Sequence, residues 1–399
     1  MTKRGTTGTF HPVSVEGHTG RAFVPFPLPP DPPLRYDAPR RRKLLEQAIH
    51  ALGGLDAITT LLPEPEIFLY TYVRREAVLS SQIEGTQSTL SDLLLFELDE
   101  APGAPFDDVR EVSNYVRALE HGMRRLKEGL PLCNRLLREM HAILLDSGRG
   151  SRRQPGHFRT RQNWLNGETV ADAEFVPPPP EHVEACMAAL EHFLNARDDE
   201  AQPYETLIKA ALAHVQFETI HPFLDGNGRL GRMLVSFVLH AEGLLRYPLL
   251  YLSLYLRRNR RRYFHLLTRA RTEGAWEDWL DFFLEGVRDT AGNAVHTANR
   301  LMNLFRDDEA RIASADAGRQ AATLLVMLRE MQKRPLVTAS GMQQGTGLSQ
   351  PTINKAFAAL SRMGIVREIT GKKRGRVYAY RQYMSLLDEG ARMKQDDGS

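Results

Sequence analysis

The stretch His221-Pro-Phe-Leu-Asp-Gly-Asn-Gly-Arg-Leu-Gly-Arg232 constrains this chain more than any other. It interrupts a long apolar helical pattern and packs a base, a carboxylate, two turn glycines and two arginines into the break. Before it, Leu207, Ala210, Ala211, His214 and Phe217 recur on one side of a helix over Tyr204 to Glu218. After it, Leu230, Met233, Leu234, Phe237, Val238 and Ala241 do the same until Gly243. Gly226 and Gly228 flank Asn227, a trio that tolerates positive φ and curls its backbone N–H groups inward around an anion. The following helix points its N-terminal dipole at the same anion. Arg229 and Arg232 are expected on one face of the first turn, where guanidinium forks grip phosphate oxygens. Leu230 and Gly231 lie between them and complete the anion-binding segment. Asp225 is placed to hold Mg²⁺, a hard cation that bridges phosphate oxygens. His221 is the only side chain of the loop that titrates near neutrality, which makes it the candidate base.

Position by position the segment resembles the Fic family signature, His-x-Phe-x-Asp/Glu-Gly-Asn-Gly-Arg-x-x-Arg, through His221, Phe223, Asp225, Gly226, Asn227, Gly228, Arg229 and Arg232. The resemblance implies a mainly α fold: a Fic helical core with a small β-hairpin flap and a C-terminal winged helix-turn-helix domain. It implies transfer of AMP from ATP, with Mg²⁺, to a Ser, Thr or Tyr hydroxyl of a target protein or of the protein itself. Two other functions stay open at this level. One is a DNA-binding regulator with a nucleotide-sensing Fic core; the other is a Fic enzyme that uses UTP or CDP-choline as donor, or that removes AMP.

Composition sets outer bounds. A chain of 399 residues with 42% hydrophobic content buries a sizeable core and is expected to divide into two or three domains. The net charge of +3 is too balanced to argue for a nucleic-acid or membrane partner globally. Cys133 and Cys186 suggest neither a disulfide framework nor a cysteine metal site. With no stretch of about 18 uninterrupted apolar residues, a soluble cytoplasmic protein without membrane contact is expected.

The expected divisions are an N-terminal arm and inhibitory region over 1–105, a catalytic core over 106–305 and a winged-helix domain with tail over 306–399. The proline-rich run from Phe23 to Pro39 reads as an extended arm. A helix from Arg40 is expected to break at Gly53-Gly54, and a second to cover Ile67 to Leu79. Ser80-Ser-Gln-Ile-Glu-Gly85 then resembles the Fic inhibitory motif, Ser/Thr-x-x-x-Glu-Gly/Asn, through Ser80, Glu84 and Gly85. That resemblance implies a carboxylate that pairs bidentately with Arg232 and displaces the γ-phosphate.

Helices follow over Asp108 to Leu126 and Cys133 to Leu145, the latter holding His141 as a core histidine. Phe158 to Val170 reads as a β-hairpin turning at Asn166-Gly167. In the family a hairpin here is the flap that docks the target segment, with Trp164 and Leu165 as its side-chain contacts. Phe264 stands where the family often has a tyrosine lining the adenine pocket. Helices over Trp276 to Val287 and Thr290 to Phe305 close the core, and three more, over Gln320 to Gln332, Thr338 to Gln344 and Ser349 to Met363, open the tail. Alternating runs at Ile365 to Thr370 and Arg376 to Arg381 flank a basic loop, Gly371 to Gly375. That order is a winged helix-turn-helix. It either touches DNA through Gln350, Thr352, Asn354, Lys355 and its wing, or serves as a packing element in a homodimer.

Overall fold

The structure, a computed structural model, describes residues 4–61, 65–101, 103–148, 150–196, 204–315 and 319–392. Strands β1 (Gly8–Val15) and β2 (His18–Pro25) open the chain as an antiparallel hairpin. Glu16 and Gly17 both take positive φ at its tip, the two-residue geometry that matches the twist of the strands. The extended arm therefore begins only after Pro25, and its first residues are strand.

Helices α1 (Pro39–Leu61), α2 (Pro65–Ile83), α3 (Leu90–Phe96), α4 (Phe106–Lys127), α5 (Asn134–Leu144) and α6 (Pro180–Asn195) come next. They are followed by α7 (Thr206–Ile220), α8 (Asn227–Ala241), α9 (Ser253–Arg258), α10 (Arg260–Glu273) and α11 (Trp276–Ala315). The expected break at Gly53-Gly54 does not occur. Ala48, Leu52, Leu55 and Ile58 of α1 are buried and the helix packs along α11, which outweighs the cost of about 1 kcal/mol for each helical glycine. Likewise α11 is one helix of 40 residues rather than two. It runs through position 305, so the expected boundary there falls inside a continuous element.

The chain ends with α12 (Arg319–Lys333), β3 (Leu336–Thr338), α13 (Ala339–Thr346), α14 (Gln350–Arg362), β4 (Val366–Glu368), β5 (Val377–Tyr380) and α15 (Arg381–Arg392). The three strands form an antiparallel sheet in the order β3-β5-β4. The two expected runs supply β4 and β5; β3 and the amphipathic helix α15, which buries Tyr383, Met384, Leu386 and Leu387, were not expected. This unit is fastened to the core: Tyr383 hydroxyl meets Thr71 of α2 at 3.3 Å, and Lys372 of the basic loop pairs with Glu100. Among the described residues no helix is long and apolar enough to cross a membrane.

At the centre, every residue of α7 from Leu207 to Ile220 is buried, and α7 packs against α8. A helix buried on all sides and mostly apolar belongs in the middle of a bundle. The loop joining these two helices is thereby held on a rigid base.

Candidate functional site

The loop starts with a constrained backbone. His221 caps α7 in the left-handed region, with φ 49° and its N–H donating to Phe217 O at 2.9 Å. For a residue with a side chain this costs about 1–2 kcal/mol, so neighbours must hold it. Arg159 does so: its backbone N–H donates to Pro222 O and its Nε–H to His221 O, both at 2.9 Å, and its Nη2 reaches Pro178 O. Phe223 is buried, stacked on His141 at 3.7 Å, and Asn227 clasps it by accepting from its N–H (2.9 Å) and donating to its carbonyl (2.8 Å). The Asn227 side chain is therefore a staple of the loop rather than an anion ligand. His141 accepts from Gly156 N–H through Nδ1 at 2.8 Å and donates from Nε2 to Asp225 O at 2.9 Å, so it is satisfied and structural as expected. His214 is likewise engaged, with Gly231 O at 2.8 Å and Tyr263 hydroxyl at 2.9 Å.

Gly226 takes φ 78° and opens α8, whose first N–H groups have no partner within the helix. Directly above them lies Glu84. A Cβ placed on Gly228 would collide with Glu84 Oε1, so a carboxylate already rests on the backbone of the expected phosphate nest. Arg232 Nη2 donates to Glu84 Oε1 at 2.6 Å. The pairing uses one nitrogen instead of the expected two, and that nitrogen is shared with Ser80: Nε–H donates to Ser80 Oγ at 2.8 Å and Nη2 donates to Ser80 O at 3.0 Å as well as to Glu84. Gly85, with φ 99°, ends the turn that carries Glu84 off α2. Burial alone would raise the Glu84 carboxyl, yet Arg232, with Arg229 and His221 behind it, holds it below the ordinary carboxylate range. The Glu84 side chain keeps 38% exposure, so one edge still faces the cleft.

Arg229 departs from the expectation of a shared phosphate grip. It is 5% exposed and points away from Arg232, toward Glu111 Oε2 and Asp225 Oδ1, each at 3.3 Å. Its role here is to orient Asp225, whose side chain is 40% exposed. Among the described residues no cluster of three or more His, Cys, Asp or Glu forms a metal cage. A Mg²⁺ held by one carboxylate and phosphate oxygens needs none, so Asp225 fits that mode. Leu230 is fully buried core, and Gly231 is small because a Cβ there would strike Glu218 Oε1.

Burial, reinforced by the charges of Arg159 and Arg271, pushes the His221 imidazole down to about 3. That direction favours the neutral imidazole, below the near-neutral value expected from the sequence.

The flap is looser than expected. Asn166 takes φ 51° but Gly167 does not follow, so the two-residue turn fails to form. Asp172 instead gathers the N–H groups of Glu168 (3.0 Å) and Thr169 (2.7 Å) into a wide loop, leaving one antiparallel bridge, Leu165 to Phe175. Trp164 packs on the small cluster of Ala22, Val170 and Val176, which also anchors the flap to β2 through Phe23 N–H and Val176 O at 2.8 Å. Phe264 is 37% exposed under Arg260, whose guanidinium lies 4.9 Å from the ring centre and donates to Ile83 O at 3.3 Å. That places Phe264 at the rim beside the Glu84 turn.

Sequence reading missed Arg159, Glu111 and Glu218. Only Glu218 left a signal, as a carboxylate on a mostly apolar helix. Burial pushes its carboxyl up to about 7, against the pull of Arg232, and does the same to Glu76 despite hydrogen bonds from Ser253. A carboxyl raised on folding contributes stability that is full below its unfolded value near 4.5 and lost as pH rises through 7. Thermal unfolding should thus show stability falling from about pH 5 to about 7 by roughly 1 kcal/mol per pH unit for each group and levelling off above that. In Glu218→Gln that slope should be shallower; an unchanged slope would contradict the assignment.

Residues 42–124 match the family described as Fic/DOC family N-terminal, and residues 131–239 match the Fic/DOC family. The chain is 28% identical over 210 residues to the "Protein adenylyltransferase Fic" of Drosophila grimshawi and to that of Drosophila virilis, covering 52% of this chain and 40% of each relative. The match thus spans well under half the length of those relatives. Among solved structures, a Fic family protein from Desulfovibrio desulfuricans superimposes with a TM-score of 0.53 at 20% identity, over 84% of this chain and 95% of that one. Fic-1 from C. elegans superimposes with a TM-score of 0.50 at 22% identity, over 66% of this chain and 73% of that one. Both share the fold.

Proposed function

Since the chain carries the N-terminal and Fic domains of the Fic/DOC family, we propose that it is a protein adenylyltransferase held in check by Glu84. The observation that carries this reading is the Glu84 carboxylate resting on Gly228 and bonded to Arg232. An anion is already held by the N-terminus of α8 and a guanidinium, which is the chemistry a terminal phosphate of ATP would require. Relatives named protein adenylyltransferase support the choice of AMP as the group transferred.

In the proposed reaction the α8 nest and Arg232 seat the triphosphate, and a target hydroxyl approaches the α-phosphorus between the flap and His221. The new O–P bond forms in line as the bond to pyrophosphate breaks, and the neutral imidazole of His221 takes the hydroxyl proton. Asp225, oriented by Arg229, would hold Mg²⁺, which neutralises phosphate charge when bound. Little covalent work falls to the protein; positioning and charge carry the rate. The C-terminal unit reads best as a clamp on the core, supported by Lys372 on Glu100 and Tyr383 on Thr71.

The test is incubation with ATP labelled at the α-phosphate, Mg²⁺ and candidate proteins, with mass spectrometry locating AMP on a hydroxyl side chain. Label from the γ-phosphate appearing instead would overturn the reading. Asp225→Ala should raise the ATP concentration needed for half-maximal rate by about 10-fold or more and flatten the Mg²⁺ dependence. A variant with unaltered Mg²⁺ response would remove Asp225 as the ligand.

A further inference from the structure

Helix α2 has a second working face. Ser80 and the Glu84 turn meet Arg232, but Arg75, Val78, Leu79 and Gln82 line a cavity of about 370 Å³ on another side of the helix. The cavity is closed by the start of α3, by Arg257 of α9 and by Leu387 and Asp388 of α15. Its walls are half apolar, and its charged groups are two arginines against one aspartate.

Arg75 is the telling residue. It is 2% exposed, yet its Nε, Nη1 and Nη2 have no hydrogen-bond partner in the structure. Its charge lies 4.6 Å from the ring centre of Tyr251. A buried guanidinium with all its donors unmet costs several kcal/mol, whereas nearly every buried donor in a native protein is satisfied. Gln82 adds a buried Oε1 with no partner, its amide nitrogen being spent on Ser88 O at 2.8 Å. Arg257 stands exposed at the mouth.

We propose that this cavity binds a small organic anion, a phosphate or carboxylate on a compact apolar body, with Arg75 gripping the head group and Arg257 closing over it. Val78, Leu79 and Leu387 receive the apolar part, and the volume suits a body the size of one aromatic ring. The site joins α2 to α15, so occupancy ties the inhibitory helix to the C-terminal unit. This inference stands on the cavity alone and holds whether or not the chain transfers AMP.

The experiment is isothermal titration of the full chain with phenyl phosphate, benzoate and phenol. Phenyl phosphate or benzoate should bind while phenol does not, and the stronger of the two identifies the head group. Arg75→Gln and Arg257→Gln should each weaken binding about 10-fold or more, and Arg232→Gln should leave it unchanged. Arg257 is exposed, so its variant remains folded and keeps the test decisive even where Arg75→Gln does not. Asp388→Asn should tighten binding by removing a like charge. Phenol binding as well as phenyl phosphate, loss confined to Arg232→Gln, or no heat from any probe would each overturn the proposal.

Discussion

Replacing His221 by alanine should lower AMP transfer by about 10²- to 10⁴-fold while leaving ATP affinity within a few-fold of the parent, the range expected for a lost general base. The split follows from geometry. In the proposed reaction the α8 nest and Arg232 hold the donor, whereas His221 is fixed at the end of α7 by Arg159. Its pKa of about 3 marks a weak base, depressed by burial and by two nearby guanidinium groups. Arrival of a polyanionic triphosphate adds opposite charge beside the ring and raises its affinity for a proton when the hydroxyl is in place. Initial rates with labelled ATP, together with a separate ATP-binding titration, measure the two quantities. Transfer retained by the variant would remove His221 as the base; loss of both transfer and ATP binding would mean that it belongs to the nucleotide site.

The loop was legible because its chemistry is encoded in consecutive residues: spacing alone puts Gly226, Gly228 and Arg232 within the cap and first two turns of one helix. The Ser80 and Glu84 pairing was also legible, but only its existence. That Arg232 meets Glu84 through Nη2 alone, a nitrogen it shares with the Ser80 carbonyl while Nε holds the Ser80 hydroxyl, is a matter of three-dimensional placement that spacing does not show. Arg159 was invisible for a related reason. It sits in a polar run with no periodicity and acquires its role by reaching main-chain carbonyls about 20 and 60 residues away. Gly53-Gly54 shows the opposite failure, a strong local signal overruled by packing along α11. At the flap, Asn166-Gly167 promised a tight turn, and Asp172 captured the loop with its own hydrogen bonds instead.

Glu84→Gly should raise the initial rate of AMP transfer by about 10-fold or more, corresponding to about 1.4 kcal/mol of released competition. In the proposed reaction the carboxylate and a terminal phosphate would require the same place, the backbone at Gly228 under Arg232 Nη2. With Glu84 present, a triphosphate must either displace it or bind misaligned for in-line attack, and positioning is what this chemistry most depends on. Removing Glu84 leaves Arg232 aimed correctly, because Ser80 still holds Nε and the chain carbonyl still holds Nη2. Arg232→Ala should therefore show no gain, and adding it to Glu84→Gly should abolish the gain, since the lock and the clamp share one guanidinium. Mild acid does not substitute for the mutation. The Glu84 carboxyl is depressed, so its contribution is full above its unfolded value near 4.5 and fades only as pH falls through the lower folded value. The ratio of variant to parent rates should then be flat from pH 6 to 8 and shrink only toward strongly acidic conditions. A Glu84→Gly rate at or below the parent, with ATP binding unchanged, would show that the carboxylate on Gly228 does not compete with the phosphate, and that its role lies in the stability of the α2 end or in removal of AMP.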